Sequence, residues 1–291
     1  MGSEPITLKN LPRTVRATIA AKAGLVTAVE AIEAGHNSPL SLRLTTATGQ
    51  FFVKGLRDEG GRLATQRREY EISPYLRGLA PAARWRVWVD GWYVIAFDYI
   101  DGRTAAYHPG SSDLPLVATL LHRLSSVTPP EDIELRLAEQ RLAGYVTSPA
   151  DLAHFAGNTL LHTDLNPHNV LIADRAYLVD WGWATRGAAW LDAAYWVICL
   201  IAEGHTPDQA EAVAQSLPAW RTAPRDGVTA FANASVNLWR EINGPGATPG
   251  RKRCSTLQGA GLPTAFRDQS ARLGSLVAEY VRTRPHHRKV D

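Results

Sequence analysis

His162-Thr163-Asp164-Leu165-Asn166-Pro167-His168-Asn169, followed by Asp180-Trp181-Gly182, decides how this chain is read. Thr159-Leu160-Leu161 leads in as a short apolar strand. Asn169–Ala173 and Ala176–Asp180 then read as two strands around an Asp174-Arg175 turn. A hairpin of that length returns Asp180 to the open end that holds Asn169. The stretch therefore gathers two carboxylates and an amide, all hard oxygen groups. Transfer of a phosphoryl group needs such a set: one carboxylate beside the attacking hydroxyl, and oxygen ligands that hold Mg²⁺ against nucleotide phosphates. Asp164 is placed for the first task, Asn169 and Asp180 for the second.

The pattern His-x-Asp-Leu-x-x-x-Asn, a hairpin, then Asp-aromatic-Gly resembles the catalytic and metal-binding loops of the protein-kinase-like fold. More narrowly, the chain resembles the aminoglycoside phosphotransferase family, the small-molecule branch that includes choline-kinase-like and fructosamine-kinase-like enzymes. That family usually carries His-Gly-Asp-Leu-x-Pro-x-Asn-Val-Leu, a hairpin, Asp-Trp-Gly and a downstream Asp in a helix. His162, Asp164, Leu165, Pro167, Asn169, Val170, Leu171, Asp180, Trp181, Gly182 and Asp192 match it. The resemblance covers roughly residues 25 to 205 and is densest at 159–196. Thr163 departs from it. Protein kinases usually place an Arg there to hold a phosphorylated activation loop, which Thr163 cannot do, and no Ala-Pro-Glu segment follows Asp180.

The resemblance implies an α+β, bilobal protein-kinase-like fold. A small antiparallel-sheet N-lobe with one major helix would span 1–98 and bind nucleotide. A larger, mainly helical C-lobe would span 99–291 and carry the catalytic loop and the acceptor-binding helices. It implies ATP (or GTP) and Mg²⁺ as cofactors and a hydroxylated small molecule as acceptor. His162 and Asp192 would be scaffold residues that brace the catalytic loop.

Upstream, Pro12–Ala23 reads as a helix stopped by Gly24. Strands are expected at 25–34, 40–47 and 50–54, with Thr48-Gly49 as a tight turn. In the resembled fold, the turn Gly35-His36-Asn37-Ser38-Pro39 would cover the phosphates, with Ser38 contributing a hydroxyl. Lys54 ends the apolar run Phe51-Phe52-Val53 and matches the kinase lysine that contacts the α- and β-phosphates. Lysine is scarce here, five residues against 26 arginines, so one inside an apolar strand stands out. A helix is expected over 62–79. Within it Glu69 shares the inward face of Ile72 and Leu76, whereas Glu71 points away, so Glu69 is the expected partner of Lys54. Val87–Asp90 and Trp92–Asp98 form a hairpin around Asp90-Gly91. It runs into a hinge-like segment where the C=O of Asp98 and the N–H of Ile100 would bind an adenine edge, with Phe97 behind it.

Further helices are expected at 114–127, 131–146, 188–202 and 263–283. His122 and His168 are read as non-catalytic.

Bulk properties narrow the function classes. At 291 residues and 45% hydrophobic content, the chain can bury one sizeable core or two lobes. A net charge of +3 is too slight to argue for a nucleic-acid partner. No apolar run reaches the length of a membrane span, and no signal peptide is expected. The cysteines Cys199 and Cys254 make neither a disulfide framework nor a zinc cluster, which fits a reduced, cytoplasmic enzyme. Residues 186–291 carry thirteen basic and nine acidic side chains, which disfavours a polycationic acceptor. Trp181, Trp183, Trp190, Trp196, Trp220 and Trp239 include candidates for stacking on an acceptor, with Trp190 and Trp196 better suited to the core. The rival from another class is a nucleotide-binding pseudokinase without transfer activity.

Overall fold

The computed structural model describes residues 6–32, 38–58 and 62–243. Helix α1 (Arg13–Ala23) buries Val15, Ile19 and Ala23, spaced four apart on one stripe. Gly24 ends it at φ +81, with its N–H returned to Ala20 C=O. Five strands follow: β1 (Val26–Ala31), β2 (Leu40–Thr46), β3 (Gly49–Arg57), β4 (Ala83–Val89) and β5 (Trp92–Asp98). They pair antiparallel in the order β1-β2-β3-β5-β4.

Strand alternation gives this sheet two apolar faces. Leu40, Leu42, Leu44, Val53, Val94 and Ala96 pack with Val15 and Ile19 on the α1 side. Tyr93, Ile95 and Phe97 face the other way, onto Leu63 and Tyr70 of α2 (Arg62–Ile72). On β3 the period of two sends Val53 to the first face and Lys54 to the second, opposite Ile95 and under α2. The helix expected over 62–79 stops at Ile72. Pro74 enters a 3-10 turn over Ser73–Tyr75, yet Leu76 is still buried beyond it.

Residues 99–243 carry most of the helices. A short β6 (Arg103–Thr104) leads to α3 (Leu114–Leu124). Where one helix was expected over 131–146, β7 (Arg136–Leu137) precedes a single short α4 (Ala138–Leu142). The cause is tertiary: 136–137 pair in parallel with a strand at 185–186, beyond Asp180. Then come β8 (Thr159–Leu161), β9 (Val170–Ile172), β10 (Ala176–Leu178), β11 (Thr185–Gly187) and α5 (Leu191–Ala202). Helices α6 (Pro207–Ala214), α7 (Pro218–Arg221) and α8 (Arg225–Asn243) complete the described chain. Two small sheets, β10-β9-β6 and β7-β11-β8, flank the loop that follows β8. Helix α5 is apolar nearly all round and fills the largest core, with Trp196 and Leu200 wholly buried. It starts at Leu191 rather than Ala188, because 185–187 are held in β11. The expected helix over 263–283 and Cys254 lie outside the described residues. Among the described residues no helix is long and apolar enough to cross a membrane.

Candidate active site

Three of the expected residues meet across the sheet and the loops. Lys54 Nζ lies 2.5 Å from Glu69 Oε2 and 3.1 Å from Asp180 Oδ1. Lys54 and Glu69 are both buried, while the Asp180 side chain keeps 28% exposure. The Glu69 carboxylate also accepts the Trp181 N–H. A buried lysine tends to lose its proton; here the Asp180 and Glu69 carboxylates outweigh burial and hold it above its ordinary value. Glu69 moves the other way from a simple ion pair. Burial pushes it up to about 7, against the pull of Lys54, and Asp180 adds repulsion. One cation is shared by two carboxylates, so the deeper one, Glu69, takes up a proton more readily. Glu71 is half-exposed and pairs with Arg67 at 3.8 Å.

The loop between β8 and β9 is fixed from below by Asp192 of α5. Its Oδ2 accepts His162 N–H and its Oδ1 accepts Thr163 N–H, each at 2.8 Å. Both bonds are buried, which answers the need of a buried carboxylate for partners. Burial still raises Asp192, and the two N–H donors oppose it. The His162 ring spans the hairpin. Its Nε2 lies 2.9 Å from Val179 C=O, and its Nδ1 accepts Asp164 N–H at 3.3 Å. The two contacts agree on the tautomer protonated at Nε2. Trp181 packs edge-on against that ring at 4.7 Å and donates Nε1–H to Leu178 C=O at 3.1 Å.

These braces leave Asp164 half-buried at the surface of the loop. Asn166 Nδ2 donates to Asp164 Oδ1 at 2.7 Å, and Asn166 Oδ1 accepts His168 N–H at 2.9 Å. Asn166 was not singled out from sequence; the motif treats its position as variable. Asn169 Nδ2 donates to Asp164 C=O at 3.1 Å, which turns Asn169 Oδ1 away from that bond. Asp180 sits at φ +65, ψ +60, a left-handed turn that Asp tolerates better than most residues.

Thr163 also has positive φ, +67. A β-branched residue there is strained, at a cost of about 1–3 kcal/mol. Around it lies a network that sequence reasoning missed. Arg141 Nη1 of α4 donates to Thr163 Oγ1 at 2.5 Å and to Thr185 Oγ1 at 2.6 Å. Both hydroxyls in turn donate to Trp183 C=O, at 3.4 and 2.7 Å. The Arg141 and Arg136 guanidiniums lie over the Trp183 ring, 5.2 and 4.4 Å from its centre. Arg68 of α2 donates to Gly182 C=O at 2.9 Å.

The remaining candidates are at the margins. Asp98 and Ile100 lie where the chain leaves β5 for the helical part. The Asp98 side chain is held by Arg84 in a fork at 2.5 and 2.6 Å, and its N–H goes to Ala82 C=O. Ile100 C=O accepts Gly102 N–H at 3.0 Å. Phe97 is buried against Phe52 and Leu63. Ser38 borders residues 33–37, which lie outside the described residues. His122 and His168 are exposed. Trp181, Trp190, Trp196 and Trp220 are buried, which leaves Trp183 and Trp239 partly open.

Oxygen donors dominate the site. Among the described residues no cluster of three or more His, Cys, Asp or Glu forms a metal cage. One carboxylate and one amide oxygen fit Mg²⁺ carried in on nucleotide phosphates, because Mg²⁺ keeps few protein ligands.

No family model matches this chain, and no curated protein does either. Solved structures do. The choline kinase LicA from Streptococcus pneumoniae is 16% identical, with a TM-score of 0.63, over 92% of this chain and 99% of LicA. Aminoglycoside phosphotransferase APH(4)-Ia is 12% identical, with a TM-score of 0.59, over 94% of this chain and 99% of that one. The fold is that of these small-molecule kinases. It is α+β and bilobal, with the five-stranded sheet above the helical part, as the loop motif implied. LicA has been crystallised with AMP, and a thermostable mutant of APH(4)-Ia with AMP-PNP and hygromycin B.

Proposed function

We propose that this protein is a member of the aminoglycoside phosphotransferase and choline kinase family. In this reading it transfers the γ-phosphoryl group of ATP, with Mg²⁺, to a hydroxyl of a small molecule. The observation that carries the reading is the contact of Lys54 with both Glu69 and Asp180, beside the braced loop that presents Asp164. The sheet lobe, 1–98, binds the nucleotide; the helical lobe, 99–291, binds the acceptor. Lys54, held by Glu69, steadies the phosphates. Ser38 and the backbone of Asp98 and Ile100 contact the nucleotide. Asp180 and Asn169 Oδ1 would hold Mg²⁺, which would supply positive charge against the transferring phosphate. Asp164 orients the acceptor hydroxyl and takes its proton. The Asn166 amide on Oδ1 fixes the carboxylate plane, so the other oxygen meets the hydroxyl.

The acceptor reading is neutral, anionic or singly cationic: an antibiotic, a sugar or an amino alcohol. Arginines 68, 136 and 141 surround the Asp180–Thr185 segment, an environment that disfavours a polycation. The test is ADP release from Mg-ATP across aminoglycosides, other hydroxylated antibiotics, sugars and amino alcohols. Acceptor-dependent ADP is expected. Asp164→Asn should lower kcat by about 100-fold or more while nucleotide binding persists. Nucleotide binding with no product on any acceptor would favour the pseudokinase. A mutant that keeps most of its activity would remove Asp164 from its role.

A further inference from the structure

We propose that Arg141 is a positioning residue for Asp164: it clamps Thr163 in the left-handed turn that presents the carboxylate, and so ties α4 to the catalytic loop. The inference rests on the reading of Asp164 given above and adds a residue that the motif does not contain.

Thr163 is the residue immediately before Asp164, and its backbone is the least comfortable in the loop. Glycine would adopt φ +67 freely; a β-branched side chain does not. The strained conformation persists only if its surroundings over-determine it. They do so here at its backbone N–H and at its hydroxyl. Its N–H is taken by Asp192. Its hydroxyl proton points to Trp183 C=O. Its hydroxyl oxygen accepts from Arg141. Thr185 repeats the same arrangement, with its proton on Trp183 C=O and its oxygen toward Arg141. One carbonyl thus takes two hydroxyl protons, and one guanidinium nitrogen serves two hydroxyl oxygens. Arg141 Nη1 also lies 3.5 Å from Trp183 C=O, so the guanidinium, the two hydroxyls and the carbonyl form one connected network. Stacking on Trp183 fixes the plane of Arg141.

The clamp has a direction. Arg141 belongs to α4, in the segment between α3 and β8 on the acceptor half. The other contacts on Thr163 itself come from Asp192 of α5 and from Trp183 C=O, while His162 and Asn169 tie the loop to its own hairpin. Loss of Arg141 would leave Thr163 free to relax toward negative φ, and rotation at 163 carries Asp164 with it. Displacements of about 1 Å at a reacting group cost up to about 100-fold in rate. Because the nucleotide contacts lie elsewhere, on Lys54 and Asp180, the loss should fall on kcat. Glycine at 163 would need no clamp, so the cost of losing Arg141 should depend on the side chain at 163.

The experiment is a double-mutant cycle on Arg141 and Thr163, read by ADP release from Mg-ATP with the acceptor found in the panel. Arg141→Ala is expected to lower kcat about tenfold, with KM for Mg-ATP changed less than about twofold. Arg141→Lys, which keeps a charged donor between the two hydroxyls, should recover kcat to within about threefold of wild type. In the Thr163→Gly background, Arg141→Ala should cost less than about twofold. Equal losses in both backgrounds would overturn the proposal, as would a rise in acceptor KM at unchanged kcat. The same cycle read by thermal unfolding should be non-additive; additivity would overturn the clamp independently of any activity. A wild type that binds Mg-ATP but yields no ADP would instead overturn the functional reading, and the positioning role with it.

Discussion

Replacing Asp192 by Asn should damage both the stability and the activity of this protein. The Asp192 carboxylate uses one oxygen for His162 N–H and the other for Thr163 N–H, both at 2.8 Å and both buried. An amide keeps one acceptor and turns an NH₂ group toward the other backbone donor. One charge-assisted bond is lost, worth about 1.5–3 kcal/mol, and a buried N–H is left facing a donor at about 1–3 kcal/mol more. The surviving bond weakens to a neutral one. Against this, the amide relieves the burial penalty that raises Asp192 above its ordinary range. The balance is about 3 kcal/mol of destabilisation. For a chain of this size that lowers Tm by about 5 °C. Thermal unfolding followed by circular dichroism at neutral pH measures it. Activity should fall further than stability, because His162 and Thr163 set the direction of Asp164. A Tm within about 2 °C of wild type would refute the reasoning, since the two backbone bonds would then contribute almost nothing.

Glu69→Gln should change the pH dependence of stability. Glu69 is raised to about 7 in the folded chain, so its protonation favours folding. That contribution is full below the unfolded carboxylate range near 4.5 and is lost as pH rises through about 7. The stability of wild type relative to Glu69→Gln should therefore decline between about pH 5 and 8 in thermal melts. A constant difference would place Glu69 fully ionised throughout. Trp181→Ala removes a buried ring packed on His162 and should cost about 3–5 kcal/mol in urea unfolding, whereas a loss below about 1 kcal/mol would mean the loop repacks.

The grouping of the candidate residues was more legible in the sequence than the lengths of the elements that carry them. Asp164, Asn169 and Asp180 lie on one short hairpin, so their spacing alone brings them together. Lys54 and Glu69 are further apart, but each carries a local signal: a lysine in an apolar strand, and a glutamate on the inward face of a helix. The structure places them 2.5 Å apart. Helix lengths were less legible. Leu76 continues the apolar stripe of α2, yet Pro74 had already turned the chain into a 3-10 segment that buries Leu76 by another route. The 131–146 segment reads as one amphipathic helix because its apolar residues recur at helical spacing. Pairing of Arg136 and Leu137 with β11 overrode that preference. Strand pairing between residues nearly fifty positions apart leaves no periodicity in either partner.

The same override hid Arg141. On a long helix it would be one arginine among many on a solvated face. With the helix cut to Ala138–Leu142 and anchored by β7, its side chain is aimed at Thr163. The sequence did carry one half of the signal. Thr163 stands where the resembled family keeps glycine, and a β-branched residue at a position glycine favours needs a compensating contact. What no motif could supply was the identity of the partner, because hydrogen bonds to hydroxyls have no fixed spacing along the chain. The acceptor is hidden for a related reason. Of six tryptophans downstream of the catalytic loop, four fill the core, and only Trp183 and Trp239 keep an open edge. Two arginines already lie over the ring of Trp183. A stacked aromatic acceptor would have to displace at least one of them. Under the proposed function, the two guanidiniums over Trp183 weigh against a flat, cationic acceptor at that ring.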